Sequence, residues 1–274
     1  MGDTRSAVKN ATDSEWFEKA ARAGYAISGV LHLLIAYIVL RLAIGGPTPS
    51  GNADQSGALA TLGSQTGGAI MLWIAAIGLV ALGLWRLAET VLGSKPGEAS
   101  GRQSDDHGGA IKRVKAFALA VVYFAMAFSA ARFAMGSGKS NSRNNAGMSA
   151  QLMQSGWGKA LLVVIGLVVI GIGGYHVYKG VSKKFEKDLK VSSGRGITAL
   201  GVGGYAAKGL VFVGAGILVL TATLHSDPSK ATGIDGAVKA LGEAPFGKFL
   251  LIVAALGIAA FGAYSFVRSR YARM

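Results

Sequence analysis

Six apolar stretches alternate with polar segments along the chain, near residues 24–44, 68–88, 116–135, 159–178, 204–223 and 247–267. Each is about 20 residues long, enough at 1.5 Å rise per residue to cross roughly 30 Å of hydrocarbon, so each predicts one membrane-spanning helix. All five prolines (Pro47, Pro49, Pro96, Pro228 and Pro245) fall in the connections, and no span needs a proline kink.

Charge follows the same alternation. Arg5, Lys9, Lys19, Arg22, Lys95, Arg102, Lys112 and Arg113 would share one side with Lys179, Lys183, Lys184, Lys187, Lys190, Arg195, Arg268, Arg270 and Arg273. The opposite connections carry chiefly Lys139, Arg143, Lys230 and Lys239. The positive-inside rule makes the first side cytoplasmic, and an even number of spans puts both termini there.

Composition agrees: 51% hydrophobic and 15% charged residues do not suit a soluble globule. The net charge of +14 sits in loops where membrane orientation explains it, so nucleic acid is not an expected partner. The chain has no cysteine, which excludes disulfides, thiolate metal sites and cysteine nucleophiles. Its first residues lack the apolar core and cleavage site of a secretory signal, so the first span is expected to remain as an anchor.

The sequence also repeats itself at a period close to ninety. Gly57, Gly147 and Gly236 each precede a leucine (Leu62, Leu152, Leu241), and Gly68, Gly158 and Gly247 follow in register. Gly83, Gly173 and Gly262 come next, each two residues before an aromatic: Trp85, Tyr175 or Tyr264. In the first helices, Arg22, Arg41 and Gly45 match Arg113, Arg132 and Gly136, while Gly24, Tyr25 and Gly29 match Gly204, Tyr205 and Gly209. Glycine lets helix backbones approach closely in lipid, so the repeated Gly57, Gly147, Gly236, Gly83, Gly173 and Gly262, and others such as Gly166, Gly171, Gly214, Gly216 and Gly257, are expected at packing contacts. The repeated aromatics are expected at the membrane interface.

The predicted fold is therefore an all-α integral membrane protein of three tandem, parallel two-helix repeats. Short amphipathic helices in the extracellular loops (56–68 and 234–247) would form a cap, with Ser56 and Asp235 as helix N-caps. The units run from 24 to 92, 113 to 182 and 201 to 274. A cytoplasmic segment (1–23), a flexible linker (93–112) rich in glycine, serine and charge, and a basic cytoplasmic loop (183–200) complete the chain. That last loop is expected to be solvated.

The motifs GYAISG (24–29), GALATLG (57–63) and GLWRL (83–87), with GYAAKG (204–209), GAVKALG (236–242) and GAYSF (262–266), carry a resemblance to a family of actinobacterial membrane proteins catalogued as domain of unknown function 1206. The resemblance covers Trp16 to Arg268, and the middle unit departs from it with AFALAV at 116–121. It implies three tandem two-helix units in a membrane, without implying an activity, cofactor or site.

Candidate chemistry is sparse. No acidic residue lies centrally in a span; Glu89, beside Arg86, reads as half of a surface ion pair. His32 lies inside the first span one turn after Ser28, and its counterparts are Tyr123 and Phe212, which favours packing over ligation. His176 lies near the inner end of the fourth span. Haem ligation by this pair is disfavoured because the two lie at different depths. Arg41 and Arg132, at the outer ends of the first and third spans, and Lys208 near the inner start of the fifth read as snorkelling side chains. No phosphate loop, zinc helix or nucleophile elbow is present, and GVGGYAAKG (201–209) follows no strand. Neither enzymatic activity nor a cofactor or metal is expected.

These features favour a structural or interaction protein of the plasma membrane, such as an accessory subunit contacting the lipid bilayer or a membrane-protein partner. The alternative is a small-solute channel or transporter with a pathway along a pseudo-threefold axis. An enzyme or redox subunit using His32, Tyr37 or His176 ranks last.

Overall fold

A computed structural model describes residues 15–46, 51–92, 106–191 and 194–272. Its helices, in order, are α1 (Glu15–Ala43), α2 (Gln55–Gly63), α3 (Gly68–Leu92), α4 (Asp106–Ala134) and α5 (Asn141–Leu152). They continue with α6 (Gly156–Val181), α7 (Arg195–Leu224), α8 (Ile234–Glu243) and α9 (Gly247–Tyr271). Short 3-10 turns lie at Lys184–Asp188 and Pro228–Lys230. Among the described residues there is no β-strand, only an isolated bridge between Leu189 and Ala272. Six helices (α1, α3, α4, α6, α7 and α9) are long and apolar enough to span a membrane, the architecture of a multi-pass membrane protein.

The apolar pattern located these six helices, but several run past it. Helix α7 starts at Arg195 and, at 30 residues, is about 45 Å long, so part of it projects beyond a hydrocarbon layer of about 30 Å. Helix α4 begins at Asp106, within the segment expected to be a flexible linker. Residues 93–105 of that linker, residues 1–14, Pro47, Pro49 and Pro96 lie outside the described residues.

The long helices join in three extensive seams, α3 with α4, α6 with α7, and α9 back onto α1; α7 also packs on α9. Glycine sets the spacing. A Cβ on Gly173 would stand 2.6 Å from the Gly209 carbonyl oxygen, and one on Gly209 would stand 2.5 Å from that of Gly173. Gly29 and Gly262 form the corresponding contact between α1 and α9, each carbonyl 3.0 Å from the other's Cβ position. Between α3 and α4, the space beside Gly83 holds the Phe124 ring. Large side chains such as Ile70, Ile77, Leu210 and Leu256 point away from the seams and are exposed, as lipid contact requires.

Gly68, Gly158 and Gly247 have a stricter role. Each lies in the first turn of a long helix that follows a short one, and a Cβ there would fall onto the carbonyl oxygen of Leu62, Leu152 or Gly242, respectively. The corner cannot close with a side chain present, so these recurring glycines mark corners rather than seams. Gly45 and Gly136 end α1 and α4 at φ of +72° and +71°. There the Gly46 and Ser137 amides donate back to the Arg41 and Arg132 carbonyls. At the end of α7 the left-handed residue is Ser226, followed by the same bond from Asp227 to Ala222.

Two expectations are corrected. The N-caps of α2 and α8 are Asp54 and Gly233 rather than Ser56 and Asp235. The 183–200 loop is not a solvated connection: Phe185 and Leu189 are buried against Tyr205, Phe261 and Tyr264. Lys183, at a φ of +54°, turns the chain after α6, and Gly201 makes room because a Cβ there would meet the Phe185 ring.

Candidate functional site

Two polar assemblies sit at opposite ends of the bundle. At the end where α2, α5 and α8 lie, Asp235 is almost fully buried. Its Oδ1 accepts from the Ala53 amide at 2.7 Å, and its Oδ2 accepts from Ser142 Oγ at 2.9 Å and Lys239 Nζ at 2.8 Å. Position two of α8 suits this carboxylate, since the helix start carries partial positive charge. One side chain thereby ties the loop before α2 and the start of α5 to α8. Beside it, Asp54 Oδ1 accepts from Ser56 Oγ at 2.6 Å and from the Gly57 amide at 3.1 Å. Ser56 Oγ in turn accepts from the Asn141 amide at 3.1 Å. Burial, reinforced by the Asp235 carboxylate, pushes the Asp54 carboxyl above its ordinary range, against the opposing effect of the Ser56 and Gly57 hydrogen bonds.

The second assembly lies among α1, α6, α7 and α9, toward the end where α1 begins and α9 finishes. Arg22 near the start of α1 donates to the carbonyls of Ser269 and Arg270, capping the last turn of α9. About 15 Å further along α1, at 1.5 Å per residue, lies His32. Its Nδ1 is 2.7 Å from the Ser28 carbonyl oxygen, which can only accept, so Nδ1 carries the proton. Nε2 is thus left as an acceptor, and Lys208 Nζ stands 3.3 Å from it. The Phe261 ring packs 4.7 Å from the imidazole and lies 4.1 Å from Lys208 Nζ. Lys208 therefore turns into the α1–α9 face instead of reaching for the membrane surface, a correction to the snorkelling expectation. Among the described residues, none of its contacts is a carboxylate.

His176, on α6, donates from Nδ1 to the Ile172 carbonyl at 2.8 Å, and its ring lies 5.8 Å from Phe212 and 5.9 Å from Tyr205. Closer to the helix ends, Lys179 pairs with Asp188 at 2.6 Å and lies 5.3 Å from the Tyr205 ring. Arg268 donates to the Tyr25 hydroxyl at 2.8 Å, lies 4.2 Å from that ring, and keeps its Nε buried without an acceptor. Tyr264, fully buried, donates to the Phe185 carbonyl at 3.1 Å, so this repeated aromatic is a core residue rather than an interface anchor. Tyr175 is exposed, and the side chains of Trp85 and Glu89 lie outside the described residues.

The remaining sequence candidates are local. Arg132 lies 5.7 Å from the Phe128 ring one turn back on α4, and the Arg41 side chain lies against Gly46. Gly57 is buried under the Asp54 cap, Gly236 faces Thr232, and Gly147 faces open space, as does Gly171. Gly214 comes near Ala237, and a Cβ on Gly257 would meet that of Ala207. Among the described residues no three His, Asp or Glu side chains converge as a metal-binding group.

The sequence profile described as Domain of Unknown Function (DUF1206) matches residues 23–105, 114–183 and 203–272, that is, three times along the chain. The chain belongs to this family. A relative, uncharacterized protein YxxB of Bacillus subtilis (strain 168), is 27% identical over 275 residues, covering 98% of this chain and 96% of the relative. That relative is a Bacillus protein, so the actinobacterial restriction attached to the resemblance gains no support. No solved structure matches the chain.

Proposed function

We propose that the chain is a plasma-membrane protein with both termini in the cytoplasm, acting as a structural or interaction protein, such as an accessory subunit, that contacts lipid or other membrane proteins. Three tandem parallel two-helix repeats (24–92, 113–182 and 201–274) would be arranged about a pseudo-threefold axis, with the short helices in the extracellular loops. The three family matches and the cyclic order of the seams support this arrangement.

The observation that carries the functional reading is the capped end. Asp235 joins three segments of chain there through buried hydrogen bonds, fastening the bundle across the end where an axial pathway would have to open. The broad apolar exterior supplies the contact surface. Affinity purification from native membranes in mild detergent, with mass spectrometry of proteins and small molecules, tests it. A stoichiometric membrane-protein partner is the expected result; a partner-free protein that moves solute across proteoliposomes overturns it.

The channel or transporter alternative draws support from Lys208, because a cation within an apolar span is costly unless it is used. Solute flux abolished by Lys208→Met would establish that reading.

A further inference from the structure

The Lys208 environment has more donors than acceptors. An ammonium offers three N–H groups, and the structure gives this one a single acceptor, His32 Nε2, plus the faces of Phe261 and Phe212. The formal charge that acts on it is the Arg268 guanidinium, of the same sign. Phe261 and Arg268 lie seven residues apart on α9, which puts them on one face, about 10 Å apart along the axis. The buried Arg268 Nε also lacks an acceptor. Nearby Lys179 is already neutralised by Asp188. Two cations on one track thus retain unmet donors, and His32, fixed as an Nδ1–H tautomer, can only accept from Lys208. Lys208 and His32 are both half-buried residues, whereas the Arg268 Nε is enclosed.

We propose that Lys208 and Arg268 form a binding site for the oxyanion of an acidic amphiphile, a carboxylate or phosphate carrying an alkyl chain, that enters laterally from the leaflet at the terminal end of the bundle. The oxyanion accepts from Lys208 Nζ, with the Arg268 guanidinium adding positive charge further along the track, while its chain lies on the apolar exterior. Lysine suits this role because its charge needs no fixed geometry, and His32 and Phe261 hold it off the membrane surface. The inference rests on the helices spanning a membrane, and it requires no protein partner.

The test uses the full chain in a neutral detergent, with unfolding followed by tryptophan fluorescence. The probes are oleate, oleyl alcohol, dioleoylphosphatidylglycerol and dioleoylphosphatidylcholine. An acidic probe should raise the unfolding midpoint of wild type and Lys208→Arg, and the neutral alcohol and zwitterionic lipid should not. Apparent affinity should fall about tenfold or more in Lys208→Met, the loss expected for one charge-assisted hydrogen bond. A response to oleate alone assigns a free acid, a response to phosphatidylglycerol alone assigns a phosphate headgroup, and a response to both assigns the shared oxyanion chemistry. Without probe, Lys208→Met should unfold no earlier than wild type, since it removes a poorly compensated charge.

Equal stabilisation by neutral and acidic probes, or an undiminished response in Lys208→Met, overturns the proposal. So does early unfolding of Lys208→Met without probe, which would make the lysine a structural staple. Failure here leaves the accessory-subunit reading standing, because that reading is decided by copurification of a protein.

Discussion

Replacing Asp235 with alanine should weaken the whole bundle rather than one helix. The substitution removes two bonds from buried groups to a charged acceptor: the Ala53 amide at 2.7 Å and the Ser142 hydroxyl at 2.9 Å. Ala53 is 2% exposed and Ser142 7%, so water does not replace the lost acceptor. Hydrogen bonds to charged groups contribute about 1.5–3 kcal/mol each, and stranded buried donors cost a similar amount. The Lys239 contact adds at most about 1 kcal/mol, because that side chain is 45% exposed. Relief of a desolvated carboxylate beside Asp54 offsets part of the sum, leaving an expected loss of about 2–4 kcal/mol. Asp235→Asn keeps an acceptor for Ala53 and should lose only about 1 kcal/mol, and Lys239→Ala less than that. Reversible unfolding in mixed detergent micelles, read by the four tryptophans, measures all three. If Asp235→Ala loses no more than Lys239→Ala, the carboxylate does not tie the segments together.

Gly158→Ala should destabilise by roughly 3 kcal/mol or more, since the added carbon meets the Leu152 carbonyl, whereas Gly147→Ala, facing open space within a helix, should be neutral or slightly stabilising; equal effects in the same unfolding assay would contradict the corner assignment. Asp54 has a folded pKa above its unfolded value of 3.8, so the folded state binds the proton more tightly and stability falls as pH rises through that window. Asp54→Asn, which preserves the cap acceptor, should therefore match or exceed wild type at neutral pH, and wild type should gain on it as pH drops toward 4; a wild type that loses ground on acidification would reverse the sign. Because the chain has no cysteine, single cysteines at exposed Ser182 and Gln154 can be labelled with a membrane-impermeant maleimide on intact cells. Gln154→Cys should react and Ser182→Cys should not until the cells are opened, and the opposite pattern would invert the proposed orientation.

How much of this was legible beforehand differs by kind of feature. The six long helices were readable because lipid demands about 20 apolar residues per crossing, a requirement local to each segment. The glycine register was also readable, but its meanings were not. Gly158 and Gly147 recur equally well, yet one sits under a carbonyl and the other faces open space, a distinction that depends on where the next helix turns. The alignment of GYAISG with GYAAKG matched Ser28 with Lys208 as equivalent positions. It gave no sign that Lys208 would reach His32, because that meeting requires both α1 and α7 to pack on α9.

Asp235 shows the same division. A carboxylate at the start of a short helix reads locally as a cap, but its partners Ala53 and Ser142 lie far away in the chain. By itself the sequence determined the span count, the segregation of charge, the absence of thiol chemistry and the family. Tertiary structure alone decided which helices share a seam, which glycines are obligatory and which charges stay unneutralised. Burial and hydrogen bonding at these sites join residues from different helices, and their spacing along the chain carries no record of that approach.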